Sequence, residues 1–362
     1  MQGFEHLISE RQGEKGKVQL DEITIMRPLL ICFFLVGYHA FAPWGGAWQM
    51  PTAIKGEEVP AYFWIDKFLY SFMLETFVFI SGYLFAFQKY HLGRNFTLKG
   101  IINNKFKRLI VPCVVFSILY SFISYKLTFE LGQYIYDVLC GLGHLWFLPM
   151  LFWCFVLAFV LERIRGDYKI KLGSLFILAI IANGYGSVIP WRLGYSFYYL
   201  FFFYLAFGIF NHRGDLMRKF HKGQSLWILI ILYVPAFIFF TLYTTSSPIE
   251  SDTIFLRIVG GGISHVSSVV YSTLGLLSFY FIVIWFIQKG YKPTKLLVWL
   301  NPLCMGIYLI HNFILRIIYD KTEFPELFGT YGLPWISYMV ALIGGIAITY
   351  ILRKTTWGRA LC

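Results

Sequence analysis

The sequence is poor in charged residues, which make up 14% of its 362 positions, whereas they make up roughly a quarter of a typical soluble domain. Hydrophobic residues account for 58% of the chain and recur from end to end, without a polar block large enough for a second core. This composition excludes an ordinary soluble fold, because only lipid would cover so much apolar surface. We therefore predict a single membrane domain in contact with membrane lipid.

The chain also lacks the marks of three other kinds of protein. Its six cysteines show no C-x-x-C spacing, so neither a metal site nor a disulfide framework is expected. The first 22 residues lack the basic region, short apolar core and cleavage site of a secretory signal, so the first apolar segment is predicted to be a span. The lysines and arginines behind the net charge of +12 form no stripe with interleaved aromatics, which argues against nucleic acid as a partner.

What the chain has instead is a series of long apolar runs. About 20 apolar residues are needed to cross roughly 30 Å of hydrocarbon, and within lipid the backbone must satisfy its own hydrogen bonds as a helix. We expect an all-α, polytopic bundle of about ten transmembrane helices, near residues 25–43, 62–87, 109–127, 144–162, 171–188, 196–211, 226–245, 266–287, 297–319 and 333–352.

Lysine and arginine predict the orientation of this bundle, because they are retained in short cytoplasmic loops. One set of alternate loops, together with both termini, holds 23 of the 31 lysines and arginines, and the other loops hold about one each. Both termini are therefore predicted to be cytoplasmic. The domain division that follows is a cytoplasmic N-terminal tail at 1–22, a membrane domain at 23–352 and a cytoplasmic C-terminal tail at 353–362.

The same orientation sorts the histidines. His39, His144, His265 and His311 fall near the outer ends of spans one, four, eight and nine. Ionisable groups at such depth are costly and usually face the interior of a bundle, so these histidines are candidates for a shared polar pocket. The alternative is that each histidine only forms a hydrogen bond in the interfacial zone.

Five short sequences stand out against the apolar background and together carry a resemblance. They are Arg27-Pro28 with 37–39 (GYH), 75–84 (ETFVFISGYL), 105–108 (KFKR) before Pro112, 144–149 (HLWFLP) and 306–311 (GIYLIH). In this order, on ten predicted helices, they resemble acyltransferase family 3, bacterial membrane enzymes that decorate surface polysaccharides and related acceptors. The resemblance covers nearly the whole chain, and it implies a multi-pass protein of the bacterial cytoplasmic membrane.

The resemblance implies an acyl-CoA donor, such as acetyl-CoA, on the cytoplasmic side. Arg27, Lys105, Lys107 and Arg108 lie at the inner ends of spans one and three, where they would bind the phosphates of coenzyme A through charge-assisted hydrogen bonds. The alternative is that these residues only signal topology. Ser81 lies toward the inner end of span two and is a further candidate for donor contact, whereas Gly82 is better explained by helix packing.

The acceptor is implied to be a hydroxyl of a glycan or related molecule, reached from the outer side. His39 lies 12 residues beyond Arg27, roughly 18 Å along a helix, which suits the length of a pantetheine arm. We expect His39 to act as the general base in a direct transfer, with a covalent acyl-histidine as the other possibility. His311 is a second candidate for the base, and His144 and Trp146 are candidates for binding the acceptor.

Glu75 lies well inside span two, where a carboxylate is a candidate for function by default. It would orient His39 or bind the acceptor, or it would serve as a hydrogen-bonding partner in helix packing. The residues leave these readings open.

The spacing of Arg27 and His39 departs from the family, because one more residue separates them here than in most members. Thr24 also stands where most members have an acidic residue. On a regular helix a 12-residue step turns two side chains about 120° apart, so something must absorb the extra residue. Either a single-turn π-bulge does so, or Pro28 is the first helical residue and Arg27 lies outside the helix.

A transporter or exporter of a glycan or lipid-linked intermediate is the alternative function, and it predicts broken helices in two related halves. A sensor or scaffold without chemistry would leave the inner basic cluster and the outer histidines unexplained. Residues 247–263, which include three consecutive glycines, are expected to form an outer loop. Acetyl is the default acyl group, and succinyl is the other candidate.

Overall fold

A computed structural model describes residues 10–12, 18–124, 130–220, 223–245 and 254–362. Two three-residue strands, β1 (Glu10–Gln12) and β2 (Val18–Leu20), pair antiparallel, and the rest of the regular structure is helical. Three π-helices interrupt the α-helices, at Leu30–Leu35, Phe87–His91 and Phe106–Ile110. Within the described ranges the α-helices are α1 Asp21–Leu29, α2 Val36–Phe41, α3 Pro60–Tyr70, α4 Met73–Ala86, α5 Leu98–Lys105, α6 Val111–Ser124, α7 Leu131–Cys140, α8 Phe147–Leu161, α9 Tyr168–Tyr185, α10 Leu193–Asn211, α11 Arg213–Phe220, α12 Gln224–Thr245, α13 Ile254–Gln288, α14 Lys295–Leu300, α15 Cys304–Lys321, α16 Phe324–Leu352 and α17 Thr356–Leu361.

The helices confirm an all-helical, multi-pass membrane protein. Across the described residues, nine segments are long and apolar enough to cross a membrane: Asp21–Phe41, Pro60–His91, Leu98–Ile123, Gly143–Leu161, Leu193–Asn211, Gln224–Thr245, Ile258–Gln288, Lys295–Lys321 and Phe324–Leu352. Each overlaps one of the ten predicted spans. The remaining prediction, 171–188, corresponds to α9, a helix of 18 residues in the expected place. Its hydropathy is reduced by Lys169, Lys171 and Asn183.

The prediction of an outer loop at 247–263 is wrong over its second half. Helix α13 begins at Ile254, so the glycines at 260–262 are helical, while residues 247–253 lie outside the described ranges. Three consecutive glycines favour a loop in water, where the exposed backbone bonds to solvent. Within a membrane the backbone has no such partner and keeps its internal helical hydrogen bonds.

Span two is broken near its middle. Helix α3 ends at Tyr70, α4 begins at Met73, and Phe72 between them has non-helical angles of φ −143° and ψ 5°. The break is stabilised by neighbouring helices, since the Ser272 hydroxyl donates to the Ser71 carbonyl at 2.8 Å. The Ser71 hydroxyl and the Tyr233 hydroxyl are also hydrogen-bonded, at 2.6 Å. The polar groups released by the break are thus satisfied inside the protein.

Helix α10 packs closely against α4, and this contact depends on Gly82. A Cβ atom added at Gly82 would lie 2.1 Å from the Phe203 carbonyl oxygen, so no larger residue fits. The close approach confirms the predicted packing role of Gly82.

The start of span one is fixed by a buried carboxylate. Glu22 is 2% exposed, and one of its oxygens lies 2.9 Å from the Arg213 guanidinium and accepts a hydrogen bond from the Tyr83 hydroxyl, also at 2.9 Å. These contacts link α1 to α11 and α4. The Thr24 hydroxyl, in the same helix, donates to the Leu20 carbonyl at 3.0 Å.

Helix α15 connects the two ends of the candidate site. It packs against α2, α6 and α16, and the short turn that precedes it, Asn301–Leu303, contacts α1. Because α15 runs beside span one over most of its length, residues 272 to 274 positions apart in the chain become neighbours.

Candidate active site

Span one changes its helical geometry between Arg27 and His39. The π-helix Leu30–Leu35 separates α1 from α2, and a π-helix accommodates about one additional residue in a turn. This confirms the prediction that a π-bulge absorbs the extra residue. The other possibility is wrong, because α1 begins at Asp21 and contains both Arg27 and Pro28.

His39 and His311 form a direct hydrogen bond at the far end of span one from Arg27. Nδ1 of His39 lies 3.0 Å from Nε2 of His311 and 3.1 Å from the Leu35 carbonyl oxygen. Nδ1 of His311 lies 3.0 Å from the Ile307 carbonyl oxygen. Both rings are buried, and each is tied to the carbonyl four residues earlier in its own helix.

These contacts select one arrangement of protons. His311 uses Nδ1–H to donate to Ile307, so its Nε2 is the acceptor in the pair. His39 must then carry its proton on Nδ1, which donates to both His311 and the Leu35 carbonyl. The remaining ring nitrogen of His39, Nε2, is left with a lone pair. The Leu35 carbonyl and His311 therefore fix the orientation of the His39 ring.

A third predicted histidine, His144, joins this pair. Its ring centroid lies 5.2 Å from that of His311 and 6.0 Å from that of His39. Nδ1 of His144 is hydrogen-bonded to the Asn312 side-chain nitrogen at 2.9 Å, and the Tyr308 hydroxyl donates to the His144 carbonyl at 2.7 Å. Two residues of α15 thus fix the position of His144.

The fourth predicted histidine lies elsewhere. His265 on α13 packs against α9, where a Cβ atom added at Gly184 would lie 2.7 Å from its Nε2. Three of the four predicted histidines therefore share one site. Among the described residues, no group of three or more His, Cys, Asp or Glu side chains has the arrangement of a metal site.

The histidine cluster opens into a cavity of about 420 Å³. His39 and His144 line it, as does Trp146, which was predicted to contact the acceptor. Much of the remaining wall is aromatic: Tyr38, Trp48, Tyr70, Tyr120, Phe147 and Tyr308. A wall of this kind, with a few polar groups at one place, is typical of a site for an organic ligand.

The predicted basic cluster forms at the opposite end of span one. Arg27 lies close enough to Arg108 for their charges to interact, and Lys105 is near Arg108 in the same way. The Lys105 ammonium also lies 3.6 Å from the centre of the Phe155 ring. Lys107 shares the π-helix Phe106–Ile110 with Arg108, and both are exposed, but among the described residues no contact places Lys107 with the others.

Two predicted residues of span two make contacts within the helix bundle. The Glu75 carboxylate accepts a hydrogen bond from the Tyr198 hydroxyl at 2.9 Å, while the His39 ring is occupied by Leu35 and His311. Glu75 thus links α4 to α10, as the packing interpretation requires, although its neighbours Met73 and Leu74 line the cavity. The Ser81 hydroxyl donates to the Phe77 carbonyl of its own helix at 3.0 Å.

An ionised carboxylate lies at the same end of the bundle as the basic cluster. Glu162 follows α8, and its oxygens accept hydrogen bonds from Lys89 at 2.5 Å, from Tyr204 at 2.8 Å and from Tyr90. Burial by itself raises the pKa of Glu162, but these hydrogen bonds outweigh it and hold the pKa below its usual value. Glu162 thus joins span two to span four and α10.

The sequence did not identify several residues of the site. Asn312 positions His144, Asn301 accepts a hydrogen bond from Arg27 at 3.4 Å, and the Arg316 guanidinium lies 4.6 Å from the centre of the Trp48 ring. Asn312 and Arg316 were detectable as polar residues in an apolar span. Trp48 lies in a loop that gave no such signal.

Comparison with known proteins identifies one family. A family model described as an acyltransferase domain matches residues 23–354, nearly the whole chain. No curated protein and no solved structure matches this chain.

Proposed function

This chain belongs to acyltransferase family 3, a family of membrane acyltransferases, and we propose that it transfers an acyl group from acyl-CoA to a hydroxyl of a glycan or related acceptor. Acetyl is the proposed acyl group. The proposal rests above all on the His39–His311 pair, a base with a fixed proton arrangement beside a cavity large enough for a sugar.

The donor is proposed to enter from the basic end. Arg27 and Arg108 would bind the phosphates of coenzyme A, with Lys105 beside them, because guanidinium groups form charge-assisted and bidentate hydrogen bonds to phosphate. The path from Arg27 to His39 is roughly 18 Å along the helix, which a pantetheine arm spans. The thioester carbon would then lie near His39.

The proposed reaction is a direct transfer. The acceptor hydroxyl gives its proton to Nε2 of His39 while its oxygen attacks the thioester carbonyl carbon. The carbon–sulfur bond breaks, the new ester forms, and the proton on His39 passes to the departing thiolate to give coenzyme A as a thiol. His311 accepts the Nδ1 hydrogen bond throughout and stabilises the imidazolium, as a carboxylate does in other acyl-transfer sites.

The alternative chemistry uses His39 as a nucleophile that carries the acyl group. It predicts an acylated protein in the absence of acceptor, which mass spectrometry of a rapidly quenched mixture would detect. Direct transfer predicts no such species, and release of coenzyme A that rises with acceptor concentration.

The basic end is proposed to face the cytosol and the histidine end the outer side of a bacterial cytoplasmic membrane. The distribution of lysine and arginine supports this orientation. It would give the enzyme a cytosolic donor and an acceptor at the outer side.

One observation favours the alternative of an exporter, namely the break in span two between α3 and α4. Transporters usually pair such breaks in two related halves. Gly329, a non-helical position inside α16 with φ 56° and ψ −173°, lies near the start of that helix and forms no such pair. A histidine that accepts a proton would serve an exporter only if export were proton-coupled, whereas acyl transfer to a hydroxyl requires a base.

Turnover of acetyl-CoA tests the proposal. Purified protein in nanodiscs should bind acetyl-CoA and release its thiol slowly with water as acceptor, and His39→Ala should abolish the release while retaining the binding. Absence of acetyl-CoA binding by the folded protein would refute the proposed function and leave the exporter as the better explanation.

A further inference from the structure

The position of Arg316 along α15 places it on the acceptor side of the histidines. Asn301, just before α15, contacts Arg27 at the basic end, and His311 contacts His39. Arg316 is five residues beyond His311, roughly 7 Å further along the helix. It therefore lies farther from the basic end than the proposed base does.

Arg316 gives the cavity its charge. Among the described residues that line the cavity, it is the only Lys, Arg, Asp or Glu. Its guanidinium lies 4.6 Å from the centre of the Trp48 ring, and that ring lies 5.8 Å from the His39 ring. A group bound by Arg316 would thus be a near neighbour of the reacting atoms.

The guanidinium retains hydrogen-bonding capacity. Its Nε is buried and has no hydrogen-bond partner among the described residues. Among the described residues its one ion pair is with Asp320, at 3.5 Å and with both side chains at least a quarter exposed, so the pair contributes little. Asp320 is not among the residues that line the cavity. The Trp48 ring, whose centre lies 4.6 Å from the guanidinium carbon, makes a cation–π contact that restrains the position of the Arg316 side chain. A planar guanidinium is suited to bidentate binding of an anion.

We propose that the acceptor carries an anionic group, a carboxylate or a phosphate, which Arg316 binds beside Trp48 while His39 removes the proton of a nearby hydroxyl. This inference rests on the proposed function, and it narrows the acceptor to an acidic or phosphorylated glycan. The aromatic wall would contact the apolar faces of the sugar ring, and Arg316 would set which hydroxyl reaches His39.

A negatively charged acyl group such as succinyl is the competing explanation for the cation. The carboxylate of a succinyl group would extend past the acyl carbon and would also lie beyond His39, so the order of residues along α15 does not separate the two explanations. Acetyl, the proposed acyl group, carries no carboxylate, and with an acetyl donor an anion next to Arg316 belongs to the acceptor.

The test compares three ligands that differ at one position of the sugar: methyl glucoside, methyl glucuronide and methyl glucoside 6-phosphate. Calorimetry on protein in detergent should show at least one anion binding about 10- to 100-fold more tightly than the neutral glucoside, as expected for charge-assisted hydrogen bonds. The stronger of the two anions identifies the group. Equal affinity for all three ligands, or no measurable binding of either anion, would overturn the inference.

Three variants test whether Arg316 causes the tighter binding of the anionic sugars. R316M should remove this preference for anions, and R316K, which keeps the charge but not the planar guanidinium, should retain part of it. K321Q removes an exposed cation from the same end of the bundle and should retain the full preference. A preference that survives in R316M contradicts the inference.

A last comparison separates this inference from the proposed function. Acetyl-CoA turnover that depends on His39, without any preference for anions, would reject the anionic acceptor alone. If R316M loses succinyl-CoA hydrolysis selectively relative to acetyl-CoA hydrolysis, Arg316 binds the acyl group and the inference is wrong.

Discussion

Nε2 of His311 lies 3.0 Å from Nδ1 of His39, although 272 positions separate the two residues in the chain. In the proposed transfer, this pair has different roles for two histidines that the sequence left as rival candidates for the base. His39 lines the cavity and has a lone pair on Nε2. His311 is fully buried and fixes the orientation of the His39 ring.

The roles predict unequal losses of activity. His39→Ala should reduce acyl transfer by about 100- to 10,000-fold, the usual effect of removing positioned proton transfer. His311→Ala should reduce it less, because His39 keeps its bond to the Leu35 carbonyl. The measurement is the initial rate of thiol release at saturating acetyl-CoA.

The double variant supplies the control. Residues that act as one unit are strongly non-additive, so the double variant should be no slower than His39→Ala. Full activity in His39→Ala together with an inactive His311→Ala would transfer the role of base to His311. Additive losses would show that the pair does not act as a unit.

The affinity for coenzyme A should depend on Arg27 and Arg108 more than on Lys107. Arg27→Ala and Arg108→Ala should each weaken binding about 10- to 100-fold, because a charge-assisted hydrogen bond to phosphate is lost. Calorimetry on folded protein gives the dissociation constants.

Lys107→Ala is the matched control, since Lys107 is adjacent to Arg108 in the chain and, like Arg108, exposed. It should leave the affinity within about twofold of the parent protein, because in the proposed site the phosphates lie between Arg27 and Arg108, whose charges are close enough to interact. Equal weakening by all three substitutions would indicate a general electrostatic effect. Unchanged affinity in both arginine variants would remove the cluster from the mechanism.

The sequence predicted how deep the site residues lie in the bundle, but it did not predict which face of each helix points into the bundle. The positive-inside pattern placed His39, His144 and His311 near one level of the bundle, together with His265. Only the packed structure shows that His265 faces Gly184 on a different helix pair. Helices such as α8 are apolar all round, so periodicity does not indicate which face meets the protein and which meets lipid.

Contacts between distant segments were likewise beyond the reach of the sequence. Arg316 is a visible cation in an apolar span, yet its partner Trp48 lies in a loop 268 positions earlier. By contrast, the π-helix in span one was predictable, because the spacing of Arg27 and His39 required one residue to be absorbed. Local geometry followed from spacing, and tertiary contacts required the fold.

The orientation can be tested with a reporter that is active only in the cytosol. Fusions after Arg108, Gly166, Arg218 or Lys292 should give a signal, and fusions after Glu57, Gly132 or Glu250 should not. The fusion after Arg218 matters most, because it is the first one beyond α9, the helix that is less apolar than the other spans. A signal from Glu250 would show that α9 or another predicted span does not cross.

Glu162 should make stability depend on pH. Its folded-state pKa is lower than normal, so its contribution is fully present above the unfolded value of about 4.3 and is lost as pH falls through the folded pKa. Glu162→Gln should therefore lower the melting temperature at pH 7, and the difference from the parent protein should narrow below about pH 4. Glu323→Gln, at an exposed carboxylate, should change neither. A difference that is constant from pH 7 to pH 3 would contradict the role of the ionised carboxylate.

Because span one contains a π-helix, deletion of one residue from this span should be tolerated better than insertion of one residue. Deletion of Phe33, which is 53% exposed, removes the residue that the wide turn accommodates, so Leu30–Leu35 should become α-helical. An 11-residue step turns Arg27 and His39 by nearly whole turns, which leaves them on one face. Transfer activity should therefore be retained within about tenfold. Measurement requires only the initial rate and a check of expression.

Insertion of one alanine after Phe33 is the opposite change. It would add a second surplus residue to a segment that already holds one, and it would rotate His39 away from His311 by about 100°. This variant should lose the same 100-fold or more as His39→Ala while still binding coenzyme A, because Arg27 precedes the insertion. If deletion and insertion inactivate the enzyme equally, the π-helix has a role of its own in the site and does more than absorb a residue.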